Sequence, residues 1–108
     1  MINLIKKAMV NDKLADAINI IKTAFNTQAF TSKLNKLDSG NFMLIDFPLM
    51  GIELQLYLEP NRDDQFALNI TSNGDNIYIK LSEQEKSSLM EVIFLAPEVN
   101  PLCKAEAL

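Results

Sequence analysis

Few side chains in this sequence can do chemistry. Its 108 residues include no histidine, and Cys103 and Arg62 are the sole cysteine and arginine. A Ser-His-Asp triad, a Cys-His dyad and a zinc site built on His or on several Cys are therefore out of reach. No disulfide can close within the chain. Acid–base work would fall to carboxylates. Glu53 and Glu59 share a strand face but stand six residues apart, roughly 20 Å at about 3.3 Å per residue. A working pair needs about 5–10 Å. Asp63 and Asp64 fall in a turn, where acids bond the local backbone. Asp46 interrupts an apolar run, and a carboxylate forced into an apolar layer is the one candidate for a small carboxylate-based enzyme. Its place beside Pro48 is also that of a strand end or edge. Asn73-Gly74-Asp75-Asn76 lacks the twelve-residue pattern and closing Glu of a calcium loop. Three glycines make no phosphate-cradling loop. Cys103 has no histidine to activate it. These residues imply no catalytic group, no metal ligand and no cofactor, hence a protein that is not an enzyme.

The elements that would position any site are legible from periodicity. Ile2, Ile5 and Met9 recur at three and four. Asn11-Asp12 offers a cap for a second helix, in which Leu14, Ile18, Ile21 and Phe25 make one stripe. Phe30, Leu34 and Leu37 continue that spacing, so residues 1–38 are expected to be helical up to the turn Asp38-Ser39-Gly40. The period then changes. Residues 41–47 form a short apolar run, a buried strand. Residues 52–59 alternate without a fault, and 65–71 alternate again. Asn73-Gly74 suits a tight hairpin into 77–81. Short links favour antiparallel pairing. Ser82 followed by Glu85 is a capping box, opening a helix over 83–96 that should stop before Pro97. Residues 97–108 are expected to be a tail. The fold class is α+β: a four-stranded antiparallel meander, one face packed by N-terminal helices and a C-terminal helix, in a single domain.

That meander would carry Ile52, Leu54, Leu56, Leu58, Phe66, Leu68, Ile70, Ile77, Ile79 and Leu81 on its inner face. The opposite face is polar, and too few apolar residues remain to cover it. Its partner-binding candidates are Tyr57 and Tyr78 as apolar anchors, with Glu53, Glu59 and Lys80 supplying charge. As cross-strand pairs, the two tyrosines could also simply brace neighbouring strands.

Charge is unevenly spread over a net −4. In residues 1–36, Lys6, Lys7, Lys13, Lys22, Lys33 and Lys36 outweigh Asp12 and Asp16, a net +4. Residues 37–108 hold four basic and twelve acidic groups, a net −8. An acidic surface repels phosphate backbones and suits a basic protein; it also serves solubility alone. No nucleic-acid or membrane partner is expected, since six scattered lysines make a weak lipid-binding signal. No apolar run reaches the roughly 18 residues of a membrane helix. The lysines near the start lead into Asn11-Asp12-Lys13 rather than an apolar stretch, so no secretory signal is read, and a lone thiol suits the cytoplasm.

Two kinds of protein-binding function fit. One is an immunity or antitoxin-type inhibitor that neutralises a basic partner. The other is a secretion chaperone for an effector protein. Gly51–Ile70 resembles a strand hairpin of type III secretion chaperones. The resemblance implies an effector partner and a homodimer. Those chaperones follow the hairpin with a helix, whereas Asn73-Gly74 and another strand follow here.

Overall fold

In the computed structural model, which describes residues 1–38 and 40–105, the apolar periodicities become elements. The stripe at steps of three and four forms α1 (Ile2–Val10) and α2 (Leu14–Thr27), burying Ile5 and Ala8 from the first and Ala17, Ile18, Ile21, Ala24 and Phe25 from the second. Asn11-Asp12 does not cap α2. Asn11 closes α1, Asp12 takes a left-handed backbone (φ 57°), and the N-cap is Lys13, with no side-chain bond. Aspartate tolerates that conformation better than most residues. The Lys13 N–H reaches back to the Ala8 carbonyl at 2.7 Å, so the link is a tight corner.

Five strands follow in antiparallel meander order: β1 (Phe30–Leu37), β2 (Gly40–Phe47), β3 (Ile52–Tyr57), β4 (Phe66–Ser72) and β5 (Asp75–Leu81). Four of them correspond to the expected strands, with shifted ends: β3 stops at Tyr57 rather than 59, and β5 begins two residues early. The fifth, β1, overturns the helical expectation for 30–38. Phe30, Leu34 and Leu37 mimic helical spacing, but the true period is two. Phe30 and Ser32 point inward and are buried, while Thr31 and Lys33 point out. A serine at an inward position breaks the apolar alternation that would have revealed the strand. Asn73 and Gly74 both have positive φ, as a two-residue hairpin requires.

The inner face carries Met43, Ile45 and Phe47 of β2, Ile52, Leu54 and Leu56 of β3, Leu68 and Ile70 of β4, and Ile77, Ile79 and Leu81 of β5. These residues join the buried helical ones in one core. At its centre the rings of Phe25, Phe30 and Phe47 meet pairwise, with centroids 5.2–5.7 Å apart. This spacing is favourable for aromatic contacts.

The last helix, α3 (Glu83–Val99), begins with the expected capping box. Glu85 N–H donates to Ser82 Oγ at 3.1 Å, and Ser82 N–H to Glu85 Oε1 at 2.7 Å. It does not end before Pro97. The proline sits in the final turn, where it forfeits one intrahelical bond, and the Asn100 N–H closes that turn on the Ala96 carbonyl at 2.7 Å. Nor do residues 97–105 form a loose tail. Asn100 is buried, and its Nδ2 donates to the carbonyls of Phe25 (2.8 Å) and Gln28 (2.9 Å). Its Oδ1 accepts from the Leu102 N–H at 3.0 Å. The chain thereby turns back to lay β6 (Cys103–Ala105) parallel to β1, and the sheet order is β5-β4-β3-β2-β1-β6. Cys103 pairs in register with Phe30 and packs against the core. Residues 106–108 of the expected tail lie outside the described residues. No helix among the described residues is long and apolar enough to cross a membrane.

Candidate functional site

Because side chains alternate along a strand, burial of one sheet face fixes the composition of the other. The register gives that outer face three rungs. Thr31, Asp46, Glu53, Thr71 and Asn76 form the first; Lys33, Leu44, Gln55, Asn69 and Tyr78 the second. In the third, Asn35, Phe42 and Tyr57 are paired in register, and Ala67 is paired with Lys80. Phe42 and Tyr57 of the third rung, with Leu44 and Tyr78 of the second, thus make an apolar and aromatic strip. The rings of Phe42 and Tyr57 stand 5.9 Å apart. Leu44 lies beside them, half-buried, and Tyr78 remains 50% exposed.

The ends of the face are charged. Asp46 is exposed rather than sunk in an apolar layer, and it lies directly opposite Glu53, also exposed. Like charges in that relation repel. At the other end, beyond β3, Glu59 is fixed by the start of β2: its Oε2 accepts the Asn41 N–H at 2.8 Å. Gly40 makes room for it. A Cβ there would stand 2.8 Å from Glu59 Oε2, and the φ of +130° excludes most side chains as well.

At the Glu59 end a shallow pocket of about 270 Å³ is set into the face, lined by Tyr57, Glu59, Pro60, Asn61, Gln65, Ala67 and Tyr78. Its walls are held in place. Tyr57 Oη donates to Gln55 Oε1 at 3.2 Å. The 60–65 turn is tied by Asn61, whose Oδ1 accepts from Asp63 N–H (2.8 Å) and Gln65 N–H (3.0 Å) and whose N–H donates to the Gln65 carbonyl (2.9 Å). Ala67, small and buried, leaves the dip between the two tyrosines. In the second rung Asn69 Oδ1 is buried and meets no hydrogen-bond donor among the described residues.

Comparisons of the chain with models of protein families, with characterised proteins and with solved structures find no match. Function therefore has to be argued from the face itself.

Of the residues expected to bind a partner, Tyr57, Glu59 and Tyr78 come together around the pocket. Lys80 stands alongside on the same face, opposite Ala67. Glu53 does not join them; it lies at the far end of β3, facing Asp46. Sequence reasoning missed Phe42 and Leu44, which join Tyr57 and Tyr78 on this face. The signal was present: residues 42–45 are apolar on both strand faces, and only one face can enter the single core. Ala67, Asn61 and Gln65 were not foreseeable as pocket walls, because their proximity to Tyr57 depends on register and on the turn. Among the described residues no cluster of three or more His, Cys, Asp or Glu side chains is placed to hold a metal ion.

A second depression, about 210 Å³, lies on the helical side between Met1, Leu4, Ile20 and Met50. Its threonines are already committed: Thr23 Oγ1 donates to the Asn19 carbonyl and Thr27 Oγ1 to the Thr23 carbonyl. None of its lining side chains carries a formal charge.

Proposed function

We propose that this chain is a non-catalytic protein-binding module that takes a basic partner protein on the outer face of its sheet, acting as an immunity or antitoxin-type inhibitor within the cytoplasm. The observation that carries the reading is the strip of Phe42, Leu44, Tyr57 and Tyr78 on the outer face, which none of the described helices covers. Apolar and aromatic centres with charged rims are the usual anatomy of interfaces. The acidic balance of residues 37–108, with Asp46, Glu53 and Glu59 at the rim, gives the partner its sign.

The test is comparative capture. The immobilised chain and its Phe42→Ser and Leu44→Ser variants are exposed to extract of the cells that make it. Support is a basic protein held by the parent and lost from both variants while their circular dichroism stays that of the parent. The reading falls if the parent retains nothing above bare matrix, or if the variants retain the same protein equally.

A secretion chaperone working as a homodimer is the second reading. What favours it is the outer side of α3, where Phe94, Leu95 and Val99 are exposed, apolar surface that a second copy would cover. Light scattering separates the two: the chaperone reading requires twice the monomer mass, the inhibitor reading does not.

A further inference from the structure

We infer that the pocket between Tyr57 and Tyr78 receives an arginine side chain of the partner protein. The inference rests on the outer face being the partner surface, and it adds the chemical group recognised there.

The lining is selective in kind. Tyr57 and Tyr78 both line it together with the small Ala67, and the only formal charge among the lining residues is the Glu59 carboxylate. Aromatic faces attract cations, and a planar guanidinium stacks on them as well. An ammonium gains the charge term but not the stacking. Glu59 Oε2 is committed to the Asn41 N–H. That bond fixes the carboxylate at the rim and leaves Oε1 for one charge-assisted bond.

The pocket is also built before anything binds. Tyr57 is held on one side by the Phe42 ring and at its hydroxyl by Gln55. The turn wall is held by the bonds converging on Asn61. A site whose walls are already ordered loses less entropy on binding. The cations nearest in sequence, Arg62 and Lys80, are exposed and are not lining residues.

The experiment is an amide chemical-shift titration of the labelled full chain with N-acetyl-arginine amide, N-acetyl-lysine amide and N-acetyl-leucine amide. The arginine amide should give saturable shifts at Asn61, Gln65, Ala67 and Tyr78, binding about threefold or more tighter than the lysine amide. The leucine amide should give none. Glu59→Gln keeps an acceptor for the Asn41 N–H and should weaken arginine-amide binding about fivefold. Tyr78→Ala should act in the same direction. The rest of the spectrum, unchanged, reports that each variant is folded. Absence of saturable shifts, equal response to leucine or lysine amide, or indifference to Glu59→Gln overturns the proposal. If the amide fails while Phe42→Ser still abolishes capture of the partner, the arginine pocket falls and the binding face stands. If Phe42→Ser leaves capture intact, the binding face itself falls.

Discussion

The two faces of this sheet are written by the same residues in alternation, yet they obey different rules. Along β3 the inward positions Ile52, Leu54 and Leu56 are all buried, whereas the outward positions run Glu53, Gln55, Tyr57, from charged to aromatic. Along β3 the inward face is uniform because packing rewards well-fitting apolar groups. The outward face is graded, with a repelling carboxylate pair at one end and an aromatic strip running into a carboxylate-rimmed pocket at the other. Stability alone does not call for such a gradient. An outward face kept only for solubility would have no use for Phe42 and Leu44, nor for opposing Asp46 to Glu53.

Substitutions break this comparison in a definite order. Leu56→Ala and Leu68→Ala should each lower unfolding free energy by about 2–5 kcal/mol, since each empties a site in the packed layer. Gln55→Ala, next to Leu56 on β3 but facing out, should cost far less. Urea denaturation of the three decides; equal losses would mean that both faces are packed. Asn100→Ala comes next, at about 1–3 kcal/mol, because it leaves the Phe25 and Gln28 carbonyls without their donor. It should also loosen β6, seen as faster amide exchange at Cys103 than in the parent. The smallest effect sharpens the contrast by its sign. Asp46→Asn should raise stability by about 0.2–1 kcal/mol by removing the like-charge opposition to Glu53. The gain should shrink as salt is added. A loss instead would show that Asp46 has a structural partner.

How much of this was legible in the sequence follows the same division. Strands β3 to β5 were readable because Leu54, Leu56, Leu68, Ile70 and Ile79 keep a strict period of two between clear turns. The α3 start was readable from Ser82 and Glu85. Strand β1 was not, since Ser32 occupies an inward position and Lys33, Asn35 and Lys36 dilute the pattern. Residues 97–105 were not, because one buried side chain, Asn100, redirects the chain through contacts more than seventy residues away in sequence. Four of the five expected contact residues, Tyr57, Glu59, Tyr78 and Lys80, gather at one end of the outer face. The pocket needed the register: Ala67 becomes its floor only because β4 lies between the strands that carry Tyr57 and Tyr78.

The central claim is that the outer face holds a partner while contributing little to the fold. It is tested most directly by measuring dissociation of the captured partner from the parent and from Tyr57→Ala, alongside the urea midpoint of each. Tyr57 is half-buried on the outer face and outside the core. Interface anchors act mostly through the off-rate. The predicted result is dissociation faster by about tenfold or more, a loss of about 1.4 kcal/mol, with the midpoint nearly unchanged. Dissociation at the parent's rate from a fully folded Tyr57→Ala would contradict the account.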